Sequence, residues 1–69
     1  MKLAEFLRKE RLKRCLTKTE MAELLEVHIV SYVRYEKNGV IPCMRVLKTI
    51  SEKLKISVND IYEMINQQQ

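Results

Sequence analysis

The side chains with most chemistry to offer are cations, and they crowd one end of the chain. Residues 1–18 hold Lys2, Arg8, Lys9, Arg11, Lys13, Arg14 and Lys18 against Glu5 and Glu10, a net +5, whereas residues 19–69 hold six cations against seven carboxylates, a net −1. Such an excess suits contact with a polyanion, and a solvated helix face would account for it equally well. A second set lies on residues 28–37. Laid out at 100° per residue, Ile29, Val30, Val33, Arg34 and Lys37 share one face, and His28, Tyr32 and Tyr35 the other. Arginine and lysine can donate to base edges and phosphates, while aliphatic side chains meet chiefly the thymine methyl.

Catalytic chemistry has no comparable support. His28 is the only histidine and has no cysteine or carboxylate beside it in a nucleophile or metal pattern; Gly39 is the only glycine, so no glycine-rich loop exists for a nucleotide. Cys15 and Cys43 lack CxxC spacing and suit a reduced, cytoplasmic setting. Lys2, Glu5, Arg8 and Lys9 interrupt every apolar stretch near the start, leaving neither a signal-peptide core nor a membrane span. No enzyme, metal, cofactor, small-molecule ligand or membrane association is expected.

The elements that must position these residues are helices. With 69 residues the chain is one domain, 1–69. A core of that size rarely supplies more than about 3–5 kcal/mol alone, which makes a partner subunit a reasonable expectation. Leu3, Phe6 and Leu7 recur at helical spacing and predict a first helix from Leu3 through Leu16. Thr17 to Glu20 is a capping box that starts helix two, with Met21, Leu24 and Leu25 inward beside Ala22. Glu26-Val27-His28 is the turn, and helix three runs from about His28 to Lys37, ended by Asn38-Gly39. Pro42 opens helix four, Cys43 to Leu54, burying Val46, Leu47, Ile50 and Leu54. Ser57 to Asp60 caps helix five, where Val58, Ile61, Tyr62 and Ile65 recur, and residues 66–69 form a frayed tail. Two short helices joined by a tight turn over Thr17–Pro42 can set one of them in the DNA major groove.

The spacing of Ala22, of apolar Met21, Leu25, Val27, Tyr32 and Tyr35, of Glu36, Gly39 and Pro42, and of the stretch Ile56-Ser57-Val58-Asn59-Asp60-Ile61 resembles the Cro/repressor helix-turn-helix family, also called Xre-like or lambda-repressor-like. The resemblance covers about Leu7 to Tyr62. It implies an all-α, five-helix DNA-binding domain with its helix-turn-helix at about 17–37, and double-stranded DNA as partner. By family position Ile29, Val30, Val33 and Arg34 would read bases; Thr17, Lys18, Lys37, Asn38 and Arg45 would meet phosphates; Arg11 and Glu36 would form an ion pair. Arg14 joins the phosphate set on charge. Pattern alone favours burying Ile29, Val30 and Val33 and exposing the tyrosines; the resemblance implies the reverse.

Several residues depart from the family pattern. Lys18 stands where Gln is common, Glu26 and Cys15 where Gly is common, and His28 where Ser or Thr caps helix three. A positive φ at Glu26 would cost about 1 kcal/mol. The resemblance implies a transcriptional regulator, a repressor of phage, plasmid or bacterial genes, associated with the nucleoid and acting as a homodimer. Met64 and Ile65 either offer a seam for it on helix five or cover the edge of helix one. The rival function is a protein-interaction module using Ile29, Val30 and Val33.

Overall fold

The structure is a computed structural model describing residues 1–68. Five helices follow one another: α1 (Leu3–Lys13), α2 (Lys18–Leu24), α3 (Ile29–Lys37), α4 (Met44–Leu54) and α5 (Val58–Gln68). Among the described residues there is no strand, and no helix is long and apolar enough to cross a membrane.

Local chemistry fixes where the helices begin. α2 starts on the expected capping box: the Glu20 amide donates to Thr17 Oγ1 at 3.1 Å, and the Thr17 amide to Glu20 Oε1 at 2.8 Å. Ser57 starts α5 by accepting the Asp60 amide at 3.1 Å. α4 does not open on Pro42. Cys43 stays extended (φ −70°, ψ 167°) as its cap, with its carbonyl accepting from the Leu47 amide at 2.9 Å. Pro42 is therefore a buried residue just outside the helix.

The exits share one device. Cys15, Glu26 and Lys55 take φ values of 57°, 59° and 55°, in the left-handed region, and Gly39 takes 68°. After the first three, the next amide bonds back across the turn: Leu16 to the Arg11 carbonyl at 3.1 Å, Val27 to Ala22 at 3.0 Å, and Ile56 to Ser51 at 3.2 Å. This closure satisfies carbonyls a helix end would leave orphaned. It also turns Leu16, Val27 and Ile56 back against the core. α1 accordingly stops at Lys13, short of the Leu16 that periodicity suggests.

α3 packs on α1 and α2, and α5 on α4 and α1. Leu3, Leu7, Met21, Leu25, Tyr32, Ile50 and Ile61 are fully enclosed at the centre. Two expectations for α5 are corrected. Met64 and Ile65, the expected seam, are core residues at 8% exposure each, because α5 is covered by α1 as well as α4. Val58 and Tyr62 are the large apolar residues of that helix left facing outward. The tail is not frayed over 66–68: α5 continues through Gln68, whose side chain bonds to Ala4 and Gly39. Gln69 lies outside the described residues.

Left-handed backbone strains any residue with a Cβ by about 1–2 kcal/mol, and glycine returns part of that through its looser unfolded chain. Glu26→Gly and Cys15→Gly are each expected to raise stability by about 0.5–1 kcal/mol, measured as a higher urea midpoint at unchanged slope. A lower midpoint would mean that these turns are held without strain.

Candidate nucleic-acid interface

The register of α3 decides which side chains face outward. Tyr32 is fully buried and Glu36 is 9% exposed, one helical turn apart on the inner side, with Tyr35 half-buried against the core. Arg34 and Lys37 are exposed, Val30 is 51% exposed, and Val33 is half-buried. Ile29 packs against the core. The amphipathic pattern alone, which would bury Val30 and expose the tyrosines, is overruled.

The reason is electrostatic. Arg11, on α1, grips Glu36 with both prongs, Nε to Oε2 and Nη2 to Oε1, each at 3.0 Å. The two side chains are only 11% and 4% exposed. Burial disfavours the charge on Glu36, but the hydrogen bonds of Arg11, the neighbouring Tyr32 hydroxyl and the charges of Arg11 and Lys18 outweigh it and hold Glu36 below its ordinary 4.5. Arg11 Nη1 donates to the Leu16 carbonyl at 3.0 Å. One guanidinium thus ties the residue before the α2 cap to the residue before Lys37. It ties the start of α2 to the end of α3, and the charge of Lys18 is felt at Glu36.

The Tyr32 hydroxyl, close to this pair, is buried and finds no hydrogen-bond partner among the described residues. Desolvation, followed by the nearby Glu36 carboxylate, pushes its pKa well up.

The helix N-termini complete the surface. His28 caps α3 after all: its Nδ1 accepts the Val30 amide at 3.2 Å, doing the work of the family's hydroxyl. At the start of α4 the amides of the first turn, Val46 foremost, lower the pKa of the exposed Cys43 thiol. The same partial positive charge would attract a phosphate. Arg45 stands exposed in that turn and lines a groove with Met44, Leu47, Lys48, Val58 and Tyr62. Arg14 is less free than its charge suggests, since Glu10 holds its Nη1 at 2.6 Å.

A family model described as helix-turn-helix matches residues 7–61. The chain belongs to the Cro/repressor helix-turn-helix family. No curated protein and no solved structure matches it. Membership makes double-stranded DNA the partner class of this helix-turn-helix domain and transcription regulation its class of activity. Two contributors escaped the sequence. Lys2 lines a hollow with Lys37, Asn38, Gly39 and Gln68, and the Leu16 carbonyl anchors Arg11. The first is made by packing between distant segments, and the second is a backbone acceptor five residues on, which no pattern of side chains marks.

Removing either partner of a buried pair strands a charge. Arg11→Ala should cost about 3–5 kcal/mol in chemical denaturation, far beyond the 0–1 kcal/mol of an exposed pair. Because the folded-state pKa of Glu36 is lowered, the stability this carboxylate contributes is full above about pH 4.5 and is lost as pH falls through its lowered value. Glu20, lowered by the Thr17 amide, acts in the same direction. Glu36→Gln should therefore lose less stability than wild type as pH falls from about 4.5 through the lowered value. Tyr32→Phe removes an unpartnered buried hydroxyl and should leave the melting temperature unchanged or higher; a loss of more than about 1 kcal/mol would show that the hydroxyl is bonded.

Proposed function

We propose that this domain is a sequence-specific regulator that binds double-stranded DNA, a repressor of phage, plasmid or bacterial genes, acting as a homodimer on two half-sites. The observation that carries the proposal is the orientation of α3, with Val30, Val33 and Arg34 on the side away from the buried Tyr32–Glu36 edge. With α3 in the major groove, Arg34 donates to the N7 and O6 of guanine, while Val30 and Val33 meet thymine methyls. Ile29, packed inward, contributes at most its outer edge to base contact. Thr17, Lys18, Lys37 and Asn38 then clamp phosphates on either side, with Arg45 and the α4 amides meeting a further stretch of backbone. Arg14, held by Glu10, is the weakest member of that set.

The rival module loses ground from the same packing. With Ile29 turned to the core, the aliphatic face narrows to Val30 and Val33. The homodimer needs a different seam from Met64 and Ile65. Met44, 65% exposed, lies with Val58 and Tyr62 along the α4–α5 groove and supplies an outward apolar surface for a second copy.

Selection of bound duplexes from a random library at about physiological salt should enrich a symmetric site whose half-sites lie about one helical turn apart. Arg34→Ala should relax the preference at one base pair of each half-site and weaken binding by about 1–3 kcal/mol. Failure to enrich any site, with binding that vanishes as salt rises, would leave only backbone attraction; an unchanged preference in Arg34→Ala would refute this orientation of the reading helix.

A further inference from the structure

α1 lacks a cap of its own. Lys2 occupies the cap position without a side-chain hydrogen bond, so the amides of the first turn need an acceptor from elsewhere. Gln68, at the far end of the fold, provides it: its Oε1 accepts the Ala4 amide at 2.9 Å. The other half of the same carboxamide, Nε2, donates to the Gly39 carbonyl at 2.7 Å. Gly39 is the left-handed residue directly after Lys37 and Asn38.

The exit of α3 is therefore held from two sides. From within, the Val40 amide bonds to the Arg34 carbonyl at 3.2 Å; from outside, Gln68 fixes the next carbonyl back along the chain. A carboxamide offers a donor and an acceptor in one plane, which a carboxylate or an apolar side chain of the same length cannot do. Gln67 adds a contact to the Met1 ammonium beside it.

We propose that Gln68 is a positioning residue for DNA binding: it fixes the turn after the recognition helix, and with it the backbone contacts of Lys37 and Asn38. The proposal rests on the DNA-binding reading above. It makes the end of α5 part of the phosphate clamp.

The test compares the full chain with Gln68→Met, which keeps length and removes both hydrogen bonds, and with Gln68→Met in a Cys15→Gly background, which restores stability at a distant turn without changing charge. The probe is a fluorescent duplex of mixed sequence, titrated over a range of salt, alongside amide hydrogen exchange of the free protein. Gln68→Met should speed exchange at Val40 more than in the middle of α3. It should also flatten the slope of log affinity against log salt by roughly 0.9, the equivalent of one phosphate contact. Cys15→Gly should return the melting temperature and leave both defects in place. Recovery of the slope along with the melting temperature would overturn the proposal, since loss of stability would then explain everything. An unchanged slope and unchanged Val40 exchange would overturn it too. If wild type ignores the duplex, the DNA-binding reading falls and the proposal falls with it; if wild type binds and only the variant fails to differ, the proposal falls alone.

Discussion

The Arg11–Glu36 pair is the constraint from which the rest of the molecule takes its orientation. A buried carboxylate is tolerated only with a partner in good geometry, and the bidentate grip of Arg11 satisfies both oxygens at once. Rotating α3 to bury its aliphatic face would carry Glu36 away from Arg11 and press Arg34 toward the core without a carboxylate to meet it. The pair thus contributes less as a source of stability than as a selector of one helix face. Once that face is chosen, Tyr32 must fill the centre and Val30 must point out.

The same guanidinium, through its bond to Leu16, reaches the turn that separates α1 from α2. That turn and the one between α2 and α3 are built on residues other than glycine, each closed by a backbone bond across the left-handed position. Their angles are set by those bonds and by the apolar residue that follows, Leu16 or Val27, anchored in the core. Strain at Cys15 and Glu26 is held in place by packing on both sides. The result is a helix pair whose relative pose is fixed by a backbone bond and a core anchor on the same turn.

What was legible in the sequence was what neighbouring residues decide among themselves. The Thr17–Glu20 box lies within one turn, and the α4 stripe of Val46, Leu47, Ile50 and Leu54 lies on one face of one helix. Both are as the sequence reading has them. The inner face of α3 was not legible from periodicity, because a residue 25 positions away decides it; only the family resemblance supplied that register. α5 failed for a related reason. Spacing shows that a helix has an apolar face but not how wide a strip its neighbours cover, so Met64 looked spare and Val58 shared a stripe with the buried Ile61 and Ile65. Gln68 was the least legible, because a run of polar residues at a chain end resembles a loose tail until its partners, 29 and 64 positions off, come into view.

Those last contacts bring residues 1–4 and 67–68 together through the side chains of Gln67 and Gln68. Met1 meets Gln67, Ala4 meets Gln68, and the join sits against the turn that follows α3. Circular rearrangement of such a chain would need only a short bridge between its ends, with new ends opened in an exposed segment such as Val40–Ile41 or Lys55. Chain that continues before Met1 or after Gln68 therefore sets out from one corner, beside Lys37 and Asn38. A fusion partner, an affinity tag or a neighbouring domain on this fold would crowd the hollow that holds Lys37 and Asn38, whichever side carried it.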